Sequence, residues 1–197
     1  MKPLVAFAAI ATLMSSAAGA VITVYTSQSA FAAAAGATAI ETFGGRPLVT
    51  GLTYTSTAGE IYNGRFNDRV VPGGASTTFT FAGGTTAFGA NFDETPGGFG
   101  TGLAFALNLS GGGMPIPVEQ IDGYSGGFYG FISTDRFASV LLTGGTTKST
   151  AETYTLDNLQ FGNARAVPEP AAWAMMVVGF GLIGAAARRR SEQVAAG

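Results

Sequence analysis

Pairs of glycine interrupt the middle of this chain, and they constrain its fold more than any other feature of the sequence. Four of these pairs, Gly73-Gly74, Gly83-Gly84, Gly97-Gly98 and Gly144-Gly145, stand between short segments rich in Thr, Phe, Val and Tyr. Such segments are typical of strands, and glycine pairs are typical of turns. Because no long helical pattern connects the segments, the sequence predicts an all-β domain, an antiparallel β-sandwich of jelly-roll type.

Ten strands and one helix are predicted. The helix covers residues 29–35, with Ser27 or Ser29 as its N-cap and Gly36 as its C-terminal stop. The alternation of residues 153–161 changes phase near Asp157, which predicts a β-bulge there. The predicted strands are residues 21–25, 38–43, 52–56, 77–81, 87–92, 102–109, 118–121, 127–132, 138–143 and 152–161.

Composition excludes several kinds of chemistry. The 197-residue chain has no Cys and no His, which removes disulfides, thiolate ligands, the commonest general base and the commonest zinc ligand. Between the two end segments, basic residues are scattered and acidic residues outnumber them. We therefore expect no nucleic-acid partner, because no basic patch is available to neutralise phosphates.

The N-terminal segment has the three parts of a secretory signal peptide. Lys2 supplies the positive charge, residues 4–14 form the apolar region, and Ala18 and Ala20 mark a small-residue cleavage site. We expect signal peptidase to remove residues 1–20 as a helical leader and to leave Val21 as the new N-terminus.

The C-terminal segment predicts a single transmembrane helix. Residues 171–187 carry no charge, and Arg188, Arg189 and Arg190 follow at once. The positive-inside rule keeps these arginines and the short tail of residues 191–197 in the cytoplasm. The domain of residues 21–166 would then lie on the far side of the inner membrane.

The same segment resembles a known sorting signal. Val167 and the Pro168-Glu169-Pro170 motif precede Trp173, and Gly179, Gly181 and the arginine run follow, an order that resembles the PEP-CTERM signal of Gram-negative bacteria, also known as the ice-binding protein C-terminal domain. The resemblance implies that residues 167–190 are recognised by an exosortase-type transpeptidase. It also implies transit through the inner membrane to the cell surface or the extracellular matrix of a biofilm.

Segments of the middle domain resemble cargo domains that precede this signal, which are similar to the jelly-roll scaffold of carbohydrate-binding modules. They are residues 40–43, 88–93, 127–131 and 154–159. The resemblance implies a structural calcium ion, with Glu41 and Asp157 as the first ligands. The alternative is local: Glu41 caps a turn and Asp157 bonds to Asn158.

Two tyrosines are candidate glycan contacts. Tyr124 and Tyr129 lie in or near glycine-rich segments, and a sugar ring packs well on an aromatic ring. Together with the sorting signal, the mild charge and the lack of catalytic residue types, this predicts a non-catalytic module that associates with glycan or exopolysaccharide.

Two alternatives remain open. One is an exported glycan hydrolase that uses a carboxylate pair, Asp93 with Glu94 or Glu119 with Asp122. The other is a purely structural or ice-associated surface protein.

Overall fold

The structure is a computed structural model that describes residues 19–96, 100–118, 120–121, 126–146, 151–164 and 179–181. The chain divides into two compact units, Met1–Asn163 and Ala164–Gly197. The predicted leader up to residue 18 and most of the predicted sorting segment lie outside the described residues, although residues 179–181 are described and helical. In the described ranges, no helix is both long enough and apolar enough to cross a membrane.

The described part of the first unit forms ten strands and one helix. All of the strand pairings are antiparallel, so the expected all-β, antiparallel class is confirmed. In chain order the elements are β1 (Ile22–Tyr25), α1 (Gln28–Ala35), β2 (Ala39–Glu41), β3 (Leu52–Ser56), β4 (Glu60–Tyr62), β5 (Arg65–Val70), β6 (Thr77–Asp93), β7 (Leu103–Leu109), β8 (Ile116–Pro117), β9 (Gly127–Gly144) and β10 (Glu152–Gly162).

The ten strands form one continuous sheet that folds into two layers, and β6 and β9 run through both. The first half of β6 pairs with β3 and with the second half of β9, which pairs in turn with β7. The second half of β6 pairs with β10 and with the first half of β9, which pairs with β1. β2 and β5 both pair with β10, and β4 pairs with β5.

Aromatic rings from the two layers meet in the core. Phe92 of β6 and Phe105 of β7 lie 5.5 Å apart, although their strands are not paired. Phe66 of β5 lies 5.2 Å from Phe79. Ring pairs at these separations add about 0.5–1.5 kcal/mol each to the free energy of burying their surface. The phenylalanines of the sequence therefore hold the layers together.

One glycine pair that was predicted to be a turn is instead a bend inside a strand. Gly83 and Gly84 both have positive φ, and the β6–β9 register shifts beside them. The Arg136 Nη2 atom donates hydrogen bonds to both carbonyls, at 2.8 and 2.9 Å. The separate strands predicted for residues 77–81 and 87–92 are thus wrong, because the bent strand keeps its neighbours across the bend. The strands predicted separately for residues 127–132 and 138–143 are likewise one strand, β9.

The predicted helix is confirmed. α1 begins one residue earlier than expected, and its N-cap is Ser27, whose Oγ accepts from the Ala30 backbone N–H at 3.4 Å. Gly36 ends the helix and donates its N–H to the Ala32 carbonyl. Phe31 packs the helix against the outer face of β9, where its ring lies 5.1 Å from that of Phe128.

The hairpin β4–β5 was missed. Its strands carry Arg, Asn and Asp among few apolar residues, so they lack the apolar run used to find the others. The signal that was available is Asn63-Gly64, a turn pair that the structure places at positive φ. The bulge expected near Asp157 is confirmed by the register shift between Asp157 and Gln160.

Candidate functional site

An open groove runs beside the edge strand β3. Residues 46–56 line it, and its volume is about 650 Å³, within the range of ligand sites. β3 pairs with β6 on one side, and among the described strands none pairs with its other side. We call this surface the β3 groove.

A buried glutamate fixes the loop that enters the groove. The carboxylate of Glu41, at the end of β2, accepts the Phe43 N–H at Oε1 (2.5 Å) and the Val49 N–H at Oε2 (2.7 Å). Each oxygen thus takes up a donor that the turn would otherwise leave unpaired. The two bonds hold both ends of the loop that presents Arg46.

Arg46 and Tyr54 supply the charge and the ring of the groove. Arg46 Nη2 donates to the Tyr54 hydroxyl at 2.7 Å, and its guanidinium lies 5.7 Å from the ring centroid. The inner edge of Tyr54 packs against Phe66, with centroids 4.8 Å apart. The ring is therefore held in place, while Arg46 keeps further N–H donors for a polar ligand.

Tyr62 is the most exposed tyrosine of the described residues. It lies in β4, directly before the Asn63-Gly64 turn, and its residue surface is 64% exposed. An exposed ring on a short hairpin is suited to packing against the apolar face of a sugar.

A buried polar network ties β3 to the core below. Asp68 Oδ2 accepts from the hydroxyls of Ser56 (2.6 Å) and Thr77, and Asp68 Oδ1 accepts the Arg69 N–H at 2.6 Å. The Tyr154 hydroxyl donates to Thr77 Oγ1 at 2.9 Å. Burial, and to a lesser degree the charge of Asp68, raises the pKa of Tyr154 well above its ordinary value.

The predicted calcium ligands lie on paired strands, because Glu41 is opposite Leu159 in the β2–β10 register. Asp157 Oδ2 lies 3.5 Å from Arg65 Nε, and its Oδ1 accepts from Asn158 Nδ2 at 2.9 Å. These contacts, with those of Glu41, match the local alternative for the pair. In the ranges that the structure describes, no three Asp, Glu, His or Cys side chains form a metal cluster. The calcium expectation stays a prediction.

The structure argues against a glycan contact at Tyr129. This residue is 1% exposed, and its ring stacks on Phe105 at 5.1 Å inside the core. The strand alternation places it on the inner face of β9, although the neighbouring glycines suggested a loop. Tyr124 lies outside the described residues.

The carboxylate pair Asp93 and Glu94 does not converge on one cleft. Asp93 Oδ1 accepts both the N–H (2.9 Å) and the hydroxyl (2.6 Å) of Thr95, which lowers the pKa of Asp93. Glu94 is instead 3% exposed. Glu119 and Asp122, the other predicted pair, lie outside the described residues.

The predicted processing residues are described only in part. Val21 is exposed, and its N–H donates to Thr134 Oγ1 at 3.0 Å, directly before β1. Ala20, Gly179 and Gly181 are described as well. The predicted processing residues outside the described ranges are Ala18, Pro168, Glu169, Pro170, Trp173, Arg188, Arg189 and Arg190.

Arg46, Tyr54 and Tyr62 were not identified from the sequence. Tyr54 alternates with two threonines in β3, a pattern that does indicate a strand with one half-buried face. Nothing in the sequence placed Arg46 over that ring, because the contact depends on the loop that Glu41 holds.

Comparison with known proteins identifies the C-terminal segment. The family model for the PEP-CTERM protein-sorting motif matches residues 166–190, which confirms the resemblance seen in the sequence. A motif of this kind implies export and sorting to the cell surface. No curated protein matches the chain.

Solved structures that are similar to the chain include carbohydrate-binding modules. A family 29 module is 13% identical to this chain, and the match has a TM-score of 0.48. It covers 68% of this chain and 95% of the module. A variant of a family 29 module has the same identity and TM-score and is covered over 98% of its length. A family 29 module from Piromyces equi shares 9% identity over 74% of this chain and 93% of its own, with a TM-score of 0.45. Similarity at this level assigns neither a ligand nor a site to this chain.

Proposed function

We propose that the chain is an exported surface or matrix protein whose domain of residues 21–166 is a non-catalytic, jelly-roll-type module that associates with exopolysaccharide. Signal peptidase removes residues 1–20, the chain crosses the inner membrane, and an exosortase-type transpeptidase cleaves at the segment of residues 167–190. The observation that carries the proposal is the sorting motif at residues 166–190.

The described surface supports the glycan part of the proposal. Glycans present hydroxyl groups and apolar ring faces, so a binding surface needs hydrogen-bond donors together with exposed aromatic rings. Arg46 supplies donors in the β3 groove, and Tyr62, which lies in β4 outside that groove, supplies an exposed ring. The mild negative charge of the chain, −2, does not oppose a neutral glycan.

Processing is tested by the intact mass of the protein recovered outside cells. We expect the native chain to lack both residues 1–20 and the C-terminal tail. A form with Pro168-Glu169-Pro170 replaced by three alanines should keep the tail and stay with the membrane. The sorting proposal fails if the tail is present, or absent, in both forms.

Glycan association is tested by affinity electrophoresis in gels that contain exopolysaccharide isolated from the source bacterium. We expect the protein to be retarded and Tyr62→Ala to bind about tenfold more weakly, which corresponds to about 1.4 kcal/mol of lost stacking. Met114→Ala is the matched control, because Met114 is also exposed but is not aromatic. Equal migration of the native protein with and without the glycan would refute the association.

A further inference from the structure

Two glutamates are buried at one end of the β6–β10 pair. Thr155 is opposite Asp93 in the register, so Glu94 follows Asp93 on β6 and Glu152 lies three residues before Thr155 on β10. Glu94 is 3% exposed and Glu152 is 1% exposed. The fold therefore brings two acidic side chains out of water at the same end of the sheet.

The loop before β7 contacts the carboxylate of Glu152 closely. The Gly102 N–H donates to Oε2 at 2.7 Å. A Cβ atom at Gly100 would overlap the carboxylate, so only glycine allows the chain to pass this close. The Gly102 carbonyl is itself taken up by the Gly145 N–H at 2.7 Å, which fixes the loop against the end of β9.

The second oxygen of Glu152 has no hydrogen-bond partner. Glu152 Oε1 is fully buried and accepts no hydrogen bond. Two of the other buried acids differ from it, since both oxygens of Glu41 and both oxygens of Asp68 accept hydrogen bonds. A buried, half-satisfied carboxylate is costly to a fold, so its persistence needs an explanation.

Protonation is a poorer explanation than a bound cation. Burial raises the pKa of Glu152, and the N–H groups of Gly102 and Thr153 oppose that rise in part. A proton on Oε1 would remove the charge, yet the resulting O–H would still lack an acceptor. A cation contacts the oxygen directly and offsets the negative charge that the buried carboxylate carries.

We propose that the buried carboxylates of Glu94 and Glu152 bind one divalent cation of the calcium type at this end of the sandwich. Carboxylate and backbone carbonyl oxygens are the ligands that Ca²⁺ prefers, with water completing its coordination. This site is separate from Glu41 and Asp157, and it does not depend on the glycan proposal.

The test is a titration of the full-length chain with CaCl₂, in mild detergent, from an EDTA-treated start. We expect one Ca²⁺ per chain by calorimetry and a rise in the thermal midpoint. Glu152→Gln should abolish the Ca²⁺-dependent rise and should increase the midpoint in EDTA, because it removes an unpaired buried charge. Glu60→Gln, a change at an exposed acid of β4, should leave the Ca²⁺ response unchanged.

A second variant covers the case in which Glu152→Gln does not fold. Glu94→Gln should weaken Ca²⁺ binding at least tenfold. MgCl₂ in place of CaCl₂ should give a smaller rise, since Mg²⁺ demands a stricter geometry. A native chain that does not bind Ca²⁺, or variants that bind it as well as the native chain does, would overturn the proposal and indicate a buried water at Oε1.

Discussion

Two buried carboxylates of this domain, those of Glu41 and Glu152, sit where loops join the sheet, and each takes up backbone N–H groups that a turn leaves unpaired. Glu41 does so for the loop before β3, and Glu152 does so for the loop before β7. Replacement of a partner in such a pair leaves a buried donor unsatisfied, which costs more than the hydrogen bond contributes. Both carboxylates therefore stabilise the loops of the fold, and any ligand that they bind is a second role.

Glu41→Gln is expected to destabilise the domain by about 1–3 kcal/mol. The amide replaces one acceptor oxygen with an NH₂ group, which then faces the N–H of either Phe43 or Val49. Urea unfolding measures the loss. The control is Glu60→Gln, which should change the free energy of unfolding by less than about 0.5 kcal/mol. Equal stabilities of the two variants would show that the loop does not depend on Glu41.

Glu152 is expected to make the cation-free protein less stable as pH rises. Its pKa is raised in the folded state, so the folded chain holds this proton more tightly than the unfolded chain does. The contribution is fully present below pH 4.5, the ordinary value for Glu, and it is lost as pH rises through the folded pKa. Unfolding in EDTA between pH 4 and pH 8 measures this slope.

The same series on Glu152→Gln provides the comparison for that slope. The variant has no proton to release at this position, so its stability should fall less over the same pH range. Parallel curves for the two proteins would mean that another group sets the pH dependence.

At the scale of elements, the bend in β6 decides how the two layers connect. Gly84 has φ +71°, and a Cβ there would lie 2.5 Å from Ser110 Oγ and 3.3 Å from the Phe137 carbonyl oxygen. Gly83 has φ +75° but open space around it. The two positions therefore separate backbone strain from a steric clash.

We expect Gly83→Ala to cost about 1–2 kcal/mol, from the positive φ alone. Gly84→Ala should cost more than that, because the added methyl group must also displace Ser110. Thermal and urea unfolding measure both changes, with Gly111→Ala as a control in open space at a φ that alanine tolerates. Equal losses of stability in Gly83→Ala and Gly84→Ala would show that the clash with Ser110 does not contribute.

Local signals in the sequence predicted most elements but not their connections. The alanine-rich segment after Ser27 and the phase change at Asp157 were sufficient for α1 and the bulge, because each depends on neighbours in the chain. The bend at Gly83-Gly84 has the same local signature as a turn, and only the pairing with β9 distinguishes the two. Likewise, the contact between Arg46 and Tyr54 depends on the loop that Glu41 holds, and the burial of Tyr129 follows from the packing of distant strands.

At the scale of the molecule, β6 and β9 make the two layers one cooperative unit. Each of these strands pairs in both layers, so the β6–β9 pairing of one layer continues along the same two strands into the other. The aromatic core is shared in the same way, since Phe66 and Phe79 come from different layers. Such a unit should unfold in a single transition.

This argument predicts that residues 21–163 fold without the C-terminal segment. The last strand ends at Gly162, the first compact unit ends at Asn163, and the buried core residues that are described all precede that point. A protein of residues 21–163 should therefore show one transition, with coincident near- and far-ultraviolet dichroism. Its midpoint should lie within about 2 °C of that of the full-length chain, a shift smaller than 1 kcal/mol would cause in a domain of this size. A soluble but unfolded product would show that residues beyond 163 complete the fold, and removal of the tail by an exosortase would then destroy the module that it is meant to release.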